Sequence, residues 1–446
     1  MSALPTFEPS LRMWRDLTPL PLPLKPAASG APHILIIGGG VTGLTTAWLL
    51  LDQGKRVTIV SKEWASHAAD TRLTSQIAGA LWEYPPAVCG QHEGKTSLEE
   101  SKRWSMLSYD CYAAITEDPA MAAASGVQMR LANFYFPAKL EDDAVQLNKM
   151  LEIAAAGVQG FRRSIDIIKD YNIGPDQGLL DAYQIMSPII DSDQAMQWLM
   201  KLVQDKGATL VTETMKGDLI DTEEDLRLRF GADVIVNATG LGAEELAADK
   251  TCYPVRGALV RAVNDGTRFP RVEAALTLSA DVSGQSNEIV FIVPRNDNTL
   301  LIGGIAEDNE GDLALTLDSP VIKRMRERCN EFLPALRNAE LHPSYPLAVG
   351  LRPFRGGNVR VERELRQRDG MGKQGSRVVH SYGQGGAGWT LAFGCAADVA
   401  SLVDETLAGL PPRPLAEQEQ KSGGTAAGKT MSSPPKHLSG IRARLA

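Results

Sequence analysis

The sequence His33-Ile-Leu-Ile-Ile-Gly-Gly-Gly-Val-Thr-Gly-Leu-Thr-Thr-Ala-Trp-Leu-Leu50 sets the architecture of this chain. Ile34–Ile37 is a short, wholly apolar run, which is typical of a strand buried on both faces. Gly38, Gly40 and Gly43 then form G-x-G-x-x-G, and apolar residues follow at helical spacing. Such glycines permit a tight turn, close approach of a diphosphate to the backbone, and close packing of helix on sheet. The stretch therefore predicts a strand–turn–helix unit with a diphosphate at the helix N-terminus.

A second apolar strand, residues 56–60, follows this helix and completes a β-α-β unit. That context makes the glycine motif a strong signal for a dinucleotide site. The acidic residue expected about 20 residues further on is less clear, because Ser61, Lys62 and Glu63 follow the strand. Either the Ser61 hydroxyl or Glu63 could bind the adenosine ribose.

Composition limits the class of protein. The 446 residues suffice for two domains, and the net charge of -8 argues against a nucleic-acid or anionic-membrane surface. Five cysteines without C-x-x-C indicate free thiols in a reducing compartment. The six histidines form no pair at metal-ligand spacing, so no metal site is predicted. With no signal peptide or apolar span, we expect a cytoplasmic protein, or a peroxisomal one that lacks a clear C-terminal address.

The order of patterns predicts an α/β fold of two interleaved domains. Apolar strands and amphipathic helices alternate in one part, and short antiparallel strands dominate the other. A proline-rich arm that lies extended on the surface is expected first, and a disordered tail last. The predicted boundaries are 1–30 for the arm, 31–84, 185–252 and 350–410 for the dinucleotide domain, 85–184 and 253–349 for the substrate domain, and 411–446 for the tail.

Small residues mark three further stretches. Residues 78–80 (Ala-Gly-Ala) would let the backbone lie against a planar ligand or pack closely on the core. The strand at residues 234–237 ends in Ala-Thr-Gly, which places backbone amides where open α/β sheets bind ligands. Residues 383–388 contain four glycines before a helix and form another cluster of amides.

These motifs, together with residues 350–355 (Gly-Leu-Arg-Pro-Phe-Arg), stand in the order seen in D-amino-acid oxidases and D-aspartate oxidases. The chain resembles that family over residues 31 to 410. The resemblance implies FAD as the cofactor and a Rossmann-like FAD-binding domain interleaved with a mixed, mostly antiparallel β substrate domain. It places the flavin ring at the boundary between the two.

The resemblance also implies which residues contact FAD. They come from the glycine turn, the end of the second strand, residues 74–81 and the two later small-residue stretches. The implied cofactor-binding residues are Gly38, Gly40, Val41, Thr42, Gly43, Ser61, Lys62, Thr74, Ser75, Gly79, Ala80, Leu81, Met215, Thr239, Gly240, Gly385, Gly386, Gly388, Trp389 and Thr390.

Arg352 is the implied substrate anchor, because a guanidinium can bind an amino-acid carboxylate at two points. Family members carry two tyrosines on the substrate strand, where this chain has Phe291 and Asn287. The phenol is therefore absent at Phe291, while Asn287 could still donate a hydrogen bond. Arg295 follows in a turn and is expected to be exposed, although it could bring a second positive charge. Arg352, Phe291 and Asn287 are the predicted catalytic residues.

Three functions follow as hypotheses. The first is an FAD-dependent oxidase that takes hydride from Cα of a D-amino acid or related amine and uses O₂ to form H₂O₂. The second is a flavin dehydrogenase with another electron acceptor, and the third is a flavin-binding protein with an altered, inactive pocket. The expected partners are a small amino-acid or amine substrate and O₂, without nucleic acid or membrane, and a homodimer is compatible with them.

Overall fold

The computed structural model describes residues 11–67, 72–86, 95–278, 289–367 and 375–413. In these ranges the chain forms two β-sheets. The strands of the first sheet are β1 (His33–Ile37), β2 (Arg56–Ser61), β6 (Thr209–Thr212), β7 (Val234–Asn237), β14 (Arg360–Arg363) and β15 (Val378–Tyr382). The strands of the second are β3 (Val127–Phe136), β4 (Arg162–Arg163), β5 (Asp181–Ile190), β8 (Cys252–Val263), β9 (Ala275–Leu278), β10 (Val290–Pro294), β11 (Thr299–Gly303), β12 (Glu307–Asp308) and β13 (Leu347–Arg355).

Helices cover both sheets. The α-helices of the described ranges are α1 (Met13–Asp16), α2 (Val41–Asp52), α3 (Thr74–Ile77), α4 (Lys95–Thr116), α5 (Pro119–Ser125), α6 (Ala144–Ala155), α7 (Ser192–Asp205), α8 (Leu219–Phe230), α9 (Ala243–Leu246), α10 (Pro320–Phe332) and α11 (Gly388–Leu407). Short 3₁₀ turns occupy Leu140–Asp142, Ile165–Ile168, Pro175–Gln177, Gly240–Gly242 and Pro334–Asn338.

The first sheet has the order β14-β15-β7-β1-β2-β6, and β1 runs parallel to both β2 and β7. Ile34 and Ile36 pack with α2, α4, α7 and α11 on one face. Leu35 and Ile37 pack with α8 on the other. A strand covered on both faces needs apolar residues at every position, so the run at 34–37 correctly predicts the β-α-β unit and the α/β fold.

The second sheet is mostly antiparallel, with the order β12-β8-β11-β10-β9-β3-β5-β4 and β13 paired with β8. Among the described strand pairs of this second sheet, only that of β3 and β9 is parallel. Its core is separate from that of the first sheet and includes Ile292, Ile302 and Phe332. The antiparallel architecture predicted for this part of the chain is therefore present.

The strand β13 connects the two halves. It pairs with β8 along its whole length, with Arg352 opposite Val255, so it belongs to the second sheet. The chain then enters the first sheet at β14. The sequence placed residues 350–410 in one domain, and that division stays a prediction. The predicted tail lies outside the described residues from position 414 onward.

The N-terminal arm differs from the expectation in part. Leu17 is fully buried and Met13, in α1, is 6% exposed, so apolar side chains of residues 11–18 pack into the core, whereas Trp14 and most of residues 20–30 are exposed. The Thr18 amide donates to Asp52 Oδ2 at 2.8 Å, and Trp48 Nε1 donates to the Thr18 carbonyl at 2.9 Å. The proline-rich composition gave no sign of this docking, because the partners lie on α2.

Candidate functional site

The glycine turn after β1 has a geometry that only glycine can adopt. Gly38 has φ +122°, and a Cβ there would collide with the carbonyl of Ala238, which follows β7. A Cβ on Gly43 would collide with the carbonyl oxygen of Gly38. The first turn of α2 leaves backbone N–H groups without helical partners, as an anion site requires. This arrangement fits the diphosphate of a dinucleotide.

Two serine hydroxyls support this turn. The Gly39 amide donates to Ser61 Oγ at 3.2 Å, and Ser61 Oγ donates to the Glu63 carbonyl at 2.6 Å. The Val41 amide donates to Ser75 Oγ at 3.1 Å. Lys62 is exposed and lies 3.8 Å from Glu63. Ser61 therefore lies directly beneath the glycine turn. The assignment of Ser61 or Glu63 to the ribose, and the contact of Lys62 with the cofactor, stay predictions.

The short helix α3 joins several of the predicted cofactor residues. Trp389 Nε1 donates to the Ser75 carbonyl at 2.8 Å, and Thr74 Oγ1 donates to the Leu351 carbonyl at 3.2 Å. Ile77 fills the space beside Gly350, where a Cβ would come within 3.0 Å of it. The glycine turn, the N-terminus of α11 and the strand of Arg352 thus meet at four consecutive residues.

The turn after β7 is held from behind by a buried chain of polar groups. Asn237 Oδ1 accepts from both the amide and the hydroxyl of Thr239, the latter at 2.7 Å. Asn237 Nδ2 lies 3.3 Å from His380 Nδ1, and His380 Nε2 lies 3.2 Å from Glu364. Burial lowers the pKa of His380, so the neutral ring donates from Nε2 to Glu364 and accepts from Asn237. Sequence reasoning missed these supporting residues.

The glycine-rich segment at residues 383–388 lies beside the turn that follows β7. The Gly385 amide donates to the Pro353 carbonyl at 2.9 Å, and a Cβ on Gly240 would touch Pro353 at 3.3 Å. A Cβ on Gly388 would lie 3.6 Å from Val41, so α11 and α2 begin side by side. The other predicted cofactor residues here differ in exposure: Gly386 is exposed, Thr42 is half-buried and Trp389 and Thr390 are buried.

Met215 lies apart from these contacts, along the chain after β6. It packs half-buried against the apolar cluster of Leu35, Ile37 and α8 on the far face of the first sheet. Its predicted contact with the cofactor stays a prediction.

Residues 79–81 connect the two sheets. Ala80 has φ +47°, its carbonyl accepts from the Ile190 amide at 3.0 Å, and Leu81 forms a bridge with Ile189. A Cβ on Gly79 would lie 2.5 Å from Phe291 Cζ. The predicted flavin-lining Gly79 is therefore in contact with the predicted substrate residue Phe291.

Arg352 is half-buried and points across Gly257 on the neighbouring strand. A Cβ on Gly257 would lie 2.6 Å from Arg352 Cζ, and Arg352 Nη1 donates to the Ile305 carbonyl at 3.0 Å. Among the described residues, no carboxylate lies within ion-pair distance of Arg352. By contrast, Arg355 pairs with Asp249 at 2.7 Å. Arg352 is thus available to a carboxylate from outside the chain.

Asn287 lies outside the described residues, so its position in the site stays a prediction. The expectation of an exposed Arg295 is wrong, because the residue is 1% exposed. Its guanidinium pairs with Asp191 at 3.1 Å and with Asp193 at 3.4 Å. Arg295 is therefore fully engaged within the fold and provides no second charge for a substrate.

The described residues also give findings on metal ligands and on membrane-spanning helices. No cluster of three or more His, Cys, Asp or Glu side chains could hold a metal ion in these ranges. In the same ranges, no helix is both long enough and apolar enough to cross a bilayer.

Comparison with known proteins defines the class. The profile of the family described as "FAD dependent oxidoreductase" matches residues 33–402, so the chain belongs to this family and FAD is its cofactor. A D-amino-acid oxidase of Streptomyces coelicolor is 31% identical over 370 residues, covering 83% of this chain and 96% of the relative. A human D-aspartate oxidase is 28% identical over 380 residues, covering 84% and 95%.

Solved structures agree with this fold. Glycine oxidase from Geobacillus kaustophilus superposes with a TM-score of 0.63 at 18% identity, covering 84% of this chain and 95% of that one. Iminodiacetate oxidase from a Chelativorans species gives a TM-score of 0.63 at 17% identity, covering 86% and 98%. The family resemblance and the fold expected from the sequence are therefore confirmed.

Proposed function

We propose that this enzyme oxidises the Cα–N bond of D-amino acids or closely related amines, with FAD as the hydride acceptor and O₂ as the final oxidant. The balanced reaction converts an amino acid, O₂ and water into a 2-oxo acid, ammonia and H₂O₂. The observation that carries the proposal is Arg352, a half-buried guanidinium beside residues 74–81, the predicted flavin segment, with no carboxylate partner among the described residues.

Arg352 would bind the substrate carboxylate through two parallel N–H donors, as guanidinium geometry allows. Its contact with the Ile305 carbonyl fixes one end of the side chain, so the remaining donors are held in one orientation. Leu351, the preceding residue on β13, is bonded to Thr74 of the predicted flavin segment. A carboxylate on Arg352 is thereby placed at a defined position relative to that segment.

Bound FAD supplies the two-electron acceptor for the reaction. The chain contributes orientation and exclusion of water. Phe291 lies against Gly79, and Leu259 Cδ1 would lie 3.6 Å from a Cβ at that position, so apolar groups line the wall that faces Gly79. Positioning of Cα–H by the carboxylate anchor accounts for much of the rate, and no side-chain base is required.

The absence of a phenol at Phe291 supports a second feature of the proposal. A carboxylate on Arg352 receives no hydrogen bond from Phe291, so the anchor depends on the guanidinium more than it would with tyrosine. Asn287 is proposed as a further donor.

Peroxide release from a panel of D-amino acids, L-amino acids, N-methyl amino acids and amines tests this function. We expect H₂O₂ in stoichiometric yield with D-amino acids in air. Dye reduction with negligible peroxide would instead favour a dehydrogenase that passes electrons to another acceptor. Failure of every compound to reduce the flavin would contradict both and leave a flavin-binding protein without turnover.

The cellular setting belongs to the same proposal. The four cysteines within the described residues are buried free thiols, which supports a reducing compartment such as the cytoplasm, with the peroxisome as the alternative. A homodimer remains compatible with this proposal, and measurement of the molecular mass in solution tests it.

A further inference from the structure

A buried cluster of charges lies where α3 meets the start of α7. Asp193 accepts hydrogen bonds from Arg72, from Gln76 at 3.1 Å and from Arg261 at 3.0 Å. Arg295 approaches the same carboxylate at 3.4 Å. The four partners come from the segment before α3, from α3 itself, from β8 and from the turn after β10. One carboxylate thus joins elements of both sheets.

The contacts of Gln76 show how this cluster reaches the predicted site. Gln76 is 1% exposed, and its side-chain amide donates to the Ser66 carbonyl at 2.8 Å as well as to Asp193. The backbone carbonyl of Gln76 accepts from Ser192 Oγ at 2.6 Å and from Arg295 at 2.8 Å. Both ends of Gln76 are therefore fixed by α7 and its ion-pair partners. Its neighbour Ser75 bonds to the glycine turn and to Trp389.

We propose that Asp193 is a positioning residue for the flavin segment, defined as residues 74–81. It acts through Gln76 and Arg72, which hold the start of this segment against the second sheet. The proposal rests on the assignment of the flavin segment in the proposed function. Its test follows FAD binding and needs no turnover, so the failure of either proposal is recognised separately.

The charge balance explains why a carboxylate is needed at position 193. Three guanidiniums, those of Arg72, Arg261 and Arg295, surround it, and among the described residues Asp191 supplies the one other carboxylate paired with this group. The buried Nε atoms of Arg72 and Arg261 have no partner among the described residues. Removing the charge of Asp193 would leave three crowded guanidiniums with one acid, which is strongly unfavourable in a buried site. Arg72 and Gln76 would then move, and the flavin segment with them.

A matched control lies at the C-terminal end of α7. Lys206, just after the C-terminal end of α7, pairs with Asp52 at 2.7 Å, and both side chains are fully buried. Asp52 contacts the N-terminal arm, Trp48 and Lys206 but no residue of the flavin segment. Asp52→Asn therefore breaks a buried ion pair of comparable burial without touching the proposed linkage.

The experiment compares Asp193→Asn, Asp52→Asn and the wild-type holoprotein at a temperature where circular dichroism shows all three folded. FAD release on dilution is followed by free-flavin fluorescence, and the visible flavin spectrum is recorded. We expect the FAD Kd of Asp193→Asn to rise by at least about tenfold with an altered band shape. Asp52→Asn should lower Tm with a Kd within about twofold of wild type.

A second variant decides the matter if Asp193→Asn does not fold. Gln76→Met removes the link to Asp193 but leaves the ion pairs of Asp193 intact. It should also raise the FAD Kd, by about fivefold or more, because one end of the flavin segment loses its anchor. An unchanged Kd and spectrum in Gln76→Met, or in a folded Asp193→Asn, would overturn the proposal.

Discussion

Arg352 on β13 and Gly257 on β8 lie diagonally across two neighbouring strands, with the guanidinium over the glycine backbone and its Cζ 2.6 Å from where a Cβ would stand. The two residues lie near the middle of the β8–β13 pairing, where Gly257 is opposite Gly350 and Arg352 is opposite Val255. Any larger residue at position 257 would push the guanidinium away from the Ile305 carbonyl. Gly257 thus fixes the position of the proposed substrate anchor.

The first prediction concerns Gly257→Ala. The added methyl group meets the far end of a flexible side chain, so the fold should tolerate it while the guanidinium moves. We expect KM for a D-amino acid to rise about tenfold, equivalent to about 1.4 kcal/mol, with Tm nearly unchanged. Steady-state kinetics and calorimetry measure the two quantities.

Gly311→Ala is the control for this variant, because nothing lies within 4 Å of a Cβ at that exposed position. It should match wild type in both measurements. An unchanged KM in Gly257→Ala would mean that the displaced guanidinium does not bind substrate.

Arg352→Leu should lose catalytic efficiency while retaining FAD. Removal of a partially buried charge that binds the carboxylate costs about 3 kcal/mol, so kcat/KM should fall about 100-fold or more. Arg352→Lys keeps the charge but loses the two-point hydrogen-bonding geometry of the guanidinium, so its kcat/KM should lie between those of wild type and Arg352→Leu. Undiminished kcat/KM in the leucine variant would remove Arg352 from the site, and the flavin spectrum reports whether FAD remains bound.

Gly43→Ala should prevent FAD binding. Its Cβ would overlap the Gly38 carbonyl oxygen, which belongs to backbone that cannot move without separating α2 from β1. We expect colourless protein, with the bound flavin quantified from absorbance after gel filtration. Gly311→Ala, whose Cβ would have nothing within 4 Å, should remain yellow. A fully loaded Gly43→Ala would contradict the assignment of the diphosphate to this turn.

His380 gives a prediction about pH. Burial lowers its pKa in the folded protein, whereas the unfolded chain titrates near ~6.5. Below ~6.5 the unfolded state therefore binds more protons, so the contribution of this group to stability is present above that pH and decreases as pH falls. His380→Gln has no such titration. The difference in unfolding free energy between the two proteins should change between pH 7.5 and 5.5, by roughly the amount that linkage gives.

Denaturant titrations across that range measure the effect. Glu364, whose pKa is also lowered, titrates at more acidic pH and does not enter this window. A difference that stays constant with pH would show that folding leaves the pKa of His380 unchanged, and a change of the opposite sign would show that folding raises it.

The sequence predicts some of these features well and others poorly, for physical reasons. The run at 34–37 and its glycines predict the β-α-β unit because each local preference agrees with the final fold. Arg295 was misjudged because its turn is polar, whereas its burial depends on acids at positions 191 and 193, about 100 residues earlier in the chain. Gly257 carries no local signal, since its role appears only when β13 pairs with β8.

The central claim is that Arg352 presents the carboxylate of an amino acid to FAD, and one measurement tests it most directly. Anaerobic mixing of the holoprotein with a D-amino acid, and separately with the amine that lacks its carboxylate, is followed by loss of the visible flavin absorption. We predict rapid bleaching by the amino acid, with much slower bleaching by the amine and by either compound in Arg352→Leu. Equal rates for the two compounds in wild type, or no bleaching by any D-amino acid, would contradict the account.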